Sequence, residues 1–597
     1  MNSNHLKNIS RRKFVSAAGV VGATVTVAAA QACSPTNSTS LANATSQTSK
    51  SNKKNNAKSS SKENNLEKQA INDTKYDYVI IGGGTAGLVM AGRLTEDPTV
   101  SVIVLEAGPE NTFETGQYAA GAGGMWGPTT NWGYMSAKQA GLNNREIMQA
   151  RGKVIGGCAA INVGSWSRGT KNNYNSWDLP GWDGATILET YKKIESSQKG
   201  NTKYRGTSGP MHLEDTPRGS DMTDVFRKAA IEACVGETKD RNAANPIGFD
   251  LWETIFPKGR RWNTENGYLD PARERSNLKV FTDAHVTRIN FKGKRAISVS
   301  YSKDGKSVVV KAHKEVLLCA GAIGSPQILM LSGVGPAEHL REHGIDVIEN
   351  LPAIGQNLAD HLRTQFGALT PKGKGVAIYA DPSDPKQLEE WRKTGYGPLA
   401  LAENTCSAFV KTKADVPHPD VEFMYAINPP MSMRDDKSRA GWYIMVGLVQ
   451  PKSKGSVRLA SADPMKKAIY DPAYLSDPED MATYIRGFRI ALEHVKTKAL
   501  SEYTDMSTLQ LSINASDDEI AALIKSTAES IYHPVGSVRM GRDDDDTAAL
   551  DTQCRVKGLQ GLRVVDASSI PELVSGHTMA PTILVAERVA QMIKATG

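Results

Sequence analysis

The chain has 597 residues, 40% hydrophobic and 23% charged, with a formal net charge of +7. That length exceeds a usual single domain of about 100 to 200 residues, so two domains or one core with large insertions are expected. Residues 1–75 carry eleven Lys or Arg against three Asp or Glu, a net of +8, which leaves −1 on the other 522 residues and excludes overall basicity as a footprint for nucleic acid.

The first element is Ser10-Arg11-Arg12-Lys13-Phe14, followed by the Ala- and Gly-rich apolar segment Val15 to Ala32 and by Ala30-Gln31-Ala32-Cys33. This pattern predicts a twin-arginine export signal over 1–33 with an A-x-A style cleavage site, hence a periplasmic or extracytoplasmic location. Cys33 is a candidate lipoprotein cysteine, which would tether a soluble protein to a membrane surface. Residues 34–74, rich in Ser, Asn, Thr and Lys, read as a disordered linker.

A strand from Tyr76 to Ile81 then runs into Gly82, Gly84 and Gly87, a G-x-G-x-x-G spacing, and into a helix with Leu88, Ala91 and Leu94 on one face. The first glycine permits the tight turn, the second lets a pyrophosphate approach the backbone, and the third lets helix and strand pack closely. The phosphates are expected on the helix N-terminus, at Thr85 and Ala86. Glu106 follows Gly87 by nineteen residues at the end of a second strand, placed to accept the ribose hydroxyls of an ADP-containing dinucleotide. Export of folded protein suits a tightly held dinucleotide, so FAD is expected rather than diffusible NAD.

Beyond Gly108 the chain is loop-rich, and strands return at Leu278–Val280, Val286–Phe291 and Ala296–Tyr301. A buried strand, a Gly-rich turn and a helix follow in KEVLLCAGAIGSPQILMLSGVG. Between about 366 and 526 mixed strands alternate with charged helices, including an amphipathic one with Met481, Tyr484, Ile485, Phe488 and Leu492 at helical spacing. The stretch LRVVDASSIP reads as a strand, and APTILVAERVAQMI as a final helix with Pro581 near its first turn. The six cysteines show no C-x-x-C or metal-like cluster, no metal is expected, and Cys158 and Cys319 are expected as buried free thiols.

Five blocks carry a resemblance: RGKVIGGCAAINVGSWSRG (151–169), GAIGSPQILMLSGVG (321–335), GQNLADH (355–361), YHPVGSVRMG (532–541) and VVDASSIPELVSGHTMAPT (564–582). Together they resemble the glucose-methanol-choline (GMC) oxidoreductase family, nearest its choline dehydrogenase-like bacterial branch. The resemblance implies an α/β fold with α+β insertions: a Rossmann-like FAD-binding domain of GMC type and a discontinuous substrate-binding domain. The expected boundaries are 75–365 for the first FAD-binding parts with a substrate-domain insertion at about 170–265, 366–526 for the substrate-binding domain, and 527–597 for the C-terminal FAD-binding part.

It also implies residues. His533 matches the base that takes the hydroxyl proton of an alcohol while hydride goes to flavin N5, and His577 matches the second group on the substrate oxygen. Beside Gly82, Gly84, Thr85, Ala86, Gly87 and Glu106, the implied FAD contacts are Gly157, Asn162, Val163, Val286, Asp566, Ala567, His577 and Thr578. Cys158 and Ala159 depart from the usual small hydroxyl or glycine residues. Gln149 stands where some relatives have a flavin-linking histidine, so non-covalent FAD is expected. Tyr532, Trp166 and Trp126 are candidate walls of the substrate cavity.

The expected activity is oxidation of an alcohol to an aldehyde or ketone, with a quinone or cytochrome as electron acceptor. An oxygen-using alcohol oxidase, a flavin lyase or photoenzyme on the same scaffold, and a lipoprotein holding FAD structurally remain open alternatives. The sequence does not select among aliphatic and aryl alcohols, polyols, sugars and choline.

Overall fold

The computed structural model describes residues 75–596 apart from 201, 218, 436 and 437, so the expected export signal, Cys33 and the linker lie outside the described residues. The first sheet begins with β1 (Lys75–Ile81) and β2 (Val102–Leu105), followed by β3 (Leu278–Phe281), β4 (His285–Lys292), β5 (Arg295–Lys303) and β6 (Lys306–Leu318). Its order is β4-β5-β6-β1-β2-β3, and the short strand Leu562–Val564 pairs with β6. Val79–Ile81 and Val102–Leu105 are continuous buried runs, as central parallel strands covered on both faces require. The outer half of β6 pairs antiparallel with β5, while Val316–Leu318 lies parallel to both β1 and Leu562–Val564. One sheet is thus assembled from three distant stretches of chain.

Helix α1 (Thr85–Leu94) follows β1, α2 (Cys158–Ile161) belongs to the first family-like block, and α3 (Gly321–Leu331) follows β6. The second sheet contains β7 (Leu362–Leu369), β8 (Asn404–Val410), β9 (Val421–Ala426), β10 (Gly441–Leu448) and β11 (Glu529–Ser530), in the order β8-β9-β10-β7-β11. Its pairs are antiparallel, so side chains alternate between faces. Leu362, Phe366, Val421, Phe423, Tyr425, Trp442, Ile444 and Val446 enter a core with Tyr484, Phe488 and Leu492 of helix α4 (Pro478–Lys496). The opposite face carries Arg363, Glu422, Met424, Tyr443 and Met445.

The aromatic residues Tyr174, Trp177, Trp182 and Tyr191 pack into the core of the first sheet, whereas Met222, Phe226 and Phe249 pack into that of the second. The expected strand over LRVVDASSIP is confined to Leu562–Val564, because Asp566 accepts the Ser568 N–H at 2.7 Å and turns the chain. Helix α5 (Met579–Thr596) closes the fold, and Glu587 on it pairs with Arg93 of α1. Cys319 is a buried free thiol as expected; Cys158 is only half-buried, since it opens α2 at the seam between the two glycine loops.

Candidate functional site

The glycine loop after β1 is fixed by close approach. Gly82 has φ +102°, and a Cβ there would sit 2.5 Å from the Cys319 carbonyl oxygen; a Cβ on Gly87 would sit 1.9 Å from the Gly82 oxygen. Gly157 packs back to back against Gly84, where its Cβ would meet the Gly84 Cα at 2.7 Å. A Cβ on Gly84 would meet nothing nearer than 3.7 Å. No side chain caps α1 and its first turn holds no acid, so the N–H groups of Thr85, Ala86 and Gly87 form an uncompensated positive helix end. This cradle fits a dinucleotide pyrophosphate.

Glu106 accepts the N–H of Gly83 and of Gly108, each at 2.8 Å. Burial pushes its carboxyl up to about 7 against the pull of those two bonds. One lone pair on each oxygen remains for ribose hydroxyls. Asp566 is buried and accepts from Gly321 N at 2.8 Å and Ser325 Oγ at 2.5 Å, which ties the start of α3 to Ala567 and the C-terminal segment. Asn162 Nδ2 lies 3.2 Å from Met579 Sδ, bringing Asn162 and the exposed Val163 beside His577 and Thr578 at the start of α5. Val286 is buried on β4 opposite Tyr301, and a bulge just after it interrupts the ladder.

The second half of the site is a cluster of buried imidazoles. His533 and His577 have ring centroids 4.9 Å apart at 78°, and His361 stands 5.1 Å from His533 at 82°. His361 Nδ1 is 3.0 Å from His533 Nδ1. Tyr532, the residue before His533, has φ +66°, left-handed backbone that is uncommon outside glycine and marks constrained functional segments. Its carbonyl accepts from Arg151 Nη2 at 2.5 Å, and the His533 N–H donates to Asp360 Oδ1 at 2.7 Å. The other Asp360 oxygen collects Gln149 Nε2 (2.8 Å), Tyr470 OH (2.9 Å), Tyr474 OH (2.5 Å) and Ser530 Oγ (2.6 Å).

Burial, then the neighbouring His577, His361 and Arg151, push His533 well below the ordinary histidine value. It is therefore neutral near pH 7 and keeps a lone pair, as a base requires. His577 Nε2 is 3.2 Å from Glu422 Oε2. Glu422 also accepts from Ser407 Oγ at 2.8 Å, which in turn accepts from Arg241 at 2.6 Å. Burial raises the Glu422 carboxyl, but His577, Arg241 and Ser407 outweigh it and hold the group below the usual carboxylate range.

The structure thus gathers Gly82–Gly87, Glu106, Gly157–Val163, Asp566–Ala567 and His577–Thr578 around the C-terminal ends of the first sheet, with His533 facing His577. Trp126 and Tyr532 touch edge to face at 5.1 Å beside this cluster. Trp166 is a correction: it is fully buried in the first core, and its Nε1 donates to Glu195 at 2.7 Å, so it packs instead of lining a cavity. The indole takes that place because Glu195 is also the partner of Arg168 and Arg205 in a buried ionic network.

Sequence reasoning assigned no role to Glu422, Asp360 or His361. Asp360-His361 stood inside a recognised block. Glu422 was signalled by its setting, a single acid in the apolar strand VEFMYA, where alternation puts it on the face opposite Val421, Phe423 and Tyr425.

Comparison with known proteins agrees with this geometry. The N-terminal GMC oxidoreductase family model matches residues 76–363 and the C-terminal one residues 451–586. Mitochondrial choline dehydrogenase of Homo sapiens is 35% identical over 540 residues, covering 87% of this chain and 90% of that protein. Alcohol dehydrogenase [acceptor] of Pseudomonas putida is 35% identical over 533 residues, covering 87% and 95%. Among solved structures, a FAD-dependent oxidoreductase from Chaetomium thermophilum superposes with a TM-score of 0.78 at 26% identity, covering 87% of this chain and 99% of that one. The parallel sheet with its glycine turn, the roofing antiparallel sheet and two matching family models lead to one statement: the chain belongs to the GMC oxidoreductase family.

Proposed function

We propose that this protein binds FAD without a covalent link and oxidises the CH–OH group of a small alcohol to an aldehyde or ketone. The observation that carries the reading is the meeting of His533, neutral by burial, with His577 just before the N-terminal end of α5, in the same fold as the uncapped glycine cradle at the start of α1. Relatives named for choline and for alcohol dehydrogenase activity support the substrate class. Gln149 supports non-covalent binding, since an amide side chain lacks the ring nitrogen that a histidine would use for such a bond and its Nε2 donates to Asp360 and Tyr470.

When bound, FAD supplies the hydride acceptor. The chain supplies the rest. His533 takes the hydroxyl proton, and one such base contributes about 10² to 10⁴-fold in rate. Glu422 holds His577 Nε2, which fixes that ring in one orientation beside His533 and the same oxygen. Met424, Tyr443 and Met445 on the roofing sheet, with Trp252 beside His577, keep water from the reacting atoms.

The purified protein is expected to be yellow, and anaerobic mixing with a panel of 1-butanol, 1-octanol, benzyl alcohol, glycerol, glucose and choline should bleach the flavin band with at least one member. A colourless protein, or a flavin that no alcohol bleaches, overturns the reading. Readmission of air separates a dehydrogenase, which stays reduced, from an oxidase, which recolours.

Export through the twin-arginine route, an acyl anchor at Cys33 and a quinone or cytochrome acceptor belong to the same proposal, supported by Ser10–Phe14 and Ala30–Cys33 in the sequence. Activity retained in the cytoplasmic fraction of the native cell would overturn the export part.

A further inference from the structure

His361 is fully buried immediately before β7, and its ring contacts His533, the proposed base. Its Nδ1 faces His533 Nδ1 at 3.0 Å, ring nitrogen to ring nitrogen, and its Nε2 has no partner within hydrogen-bond geometry among the described residues. Burial first, then His577, push His361 down to about 3, so it is neutral in the working range.

Two neutral imidazoles joined through like-named nitrogens admit only two arrangements, because each ring carries one proton and one lone pair. In the first, His361 Nδ1–H donates and His533 Nδ1 accepts. His533 then carries its proton on Nε2 and has no lone pair to offer an alcohol. In the second, His533 Nδ1–H donates, His361 Nδ1 accepts, and His533 Nε2 is a free lone pair. The base role proposed for His533 requires the second, since only that arrangement leaves its Nε2 a lone pair. The His533 main chain is pinned by Asp360, so its ring cannot escape the contact by shifting along the chain.

We propose that His361 is a positioning residue: it accepts a hydrogen bond from His533 Nδ1–H and thereby fixes the base in the tautomer whose Nε2 is free to take the alcohol proton. As that proton arrives on Nε2, the Nδ1–H bond to His361 persists and strengthens, because its donor becomes cationic. No proton passes to His361, and the hydroxyl proton ends on His533 Nε2. Two buried rings at right angles are also held in one orientation, which spares the base a rotamer search before each turnover.

The inference rests on the redox reading above, and its test has one arm that does not. In the full-length, FAD-loaded protein with ¹⁵N-labelled histidine, long-range ¹H–¹⁵N spectra at pH 7 should show one ring protonated at Nδ1, absent from the His533→Ala spectrum, and one at Nε2, absent from the His361→Leu spectrum. His533 protonated at Nε2 overturns the proposal, whatever the enzyme turns over.

The second arm is rapid mixing with the fastest-bleaching alcohol of the panel. His361→Leu keeps bulk without an acceptor and should slow flavin reduction about 10²-fold with flavin content unchanged, while His361→Asn, which retains an acceptor oxygen, should recover at least about 10-fold of that. Reduction at the unaltered rate in His361→Leu, or equal losses in the two variants, overturns it. If no alcohol reduces the flavin, the redox reading fails and the spectra alone decide the tautomer. If His361→Leu does not fold, the spectrum of His361→Asn identifies the lost signal instead.

Discussion

His577 Nε2 lies 3.2 Å from Glu422 Oε2, so the loop that opens the last helix is latched to the middle of the roofing sheet. Two parts of the chain separated by 155 residues meet at this point, and the contact decides which nitrogen of His577 remains for a substrate oxygen.

Glu422→Leu should therefore slow flavin reduction by about 10- to 10²-fold, the worth of a hydrogen bond to a charged group, while Glu422→Gln loses less because its amide oxygen still accepts. Stopped-flow reduction at saturating alcohol separates the two. Glu422→Leu should also lower the melting temperature, since Arg241 is buried nearby and loses one of its carboxylate neighbours.

Replacing His533 by Ala removes the proposed base and leaves the glycine cradle untouched. Flavin content by absorbance should match the unaltered protein, and flavin reduction should fall by at least about 10². Unchanged reduction would reassign the base.

Gly84 and Gly87 should separate cofactor binding from folding. Gly84→Ala adds a methyl with no protein atom within 3.7 Å, so the protein should fold, with unchanged circular dichroism, and purify with depleted FAD. Gly87→Ala sets a methyl 1.9 Å from a carbonyl oxygen, so soluble yield should collapse.

Acid stability follows from the buried histidines. His533, His361 and His494 are all pushed below 6.5 in the folded protein, chiefly by burial, the second to about 3 and the third to about 4. The unfolded chain binds those protons near pH 6.5 and the folded chain does not, so stability is full above 6.5 and falls as pH drops below it. At pH 5 each histidine should cost about 2 kcal/mol, read as a lower urea midpoint than at pH 7. His494→Gln, away from the cofactor, should flatten the slope by about one proton.

Much of the site was legible before any coordinates. The glycine turn, Glu106, His533 and His577 sit where local spacing put them, because a phosphate-binding turn and a C-terminal family block are short-range patterns that the chain carries wherever it folds. Trp166 illustrates the limit: its neighbours in sequence suggested a cavity wall, and the partner that claimed its N–H, Glu195, lies 29 residues away.

The sequence alone determined the nucleotide-binding turn, the class of chemistry and the two histidines, His533 and His577, whose rings meet. Only the tertiary structure decided how those histidines are held: Asp360 and His361 arrive immediately before β7, Glu422 on the face of β9 opposite the core with α4, and Gln149 from the segment just before the first family-like block. The reason is physical. Hydrogen-bond partners of buried groups are chosen by which strands lie side by side and by which face each residue takes, and both follow from long-range packing of an antiparallel sheet that no local spacing encodes.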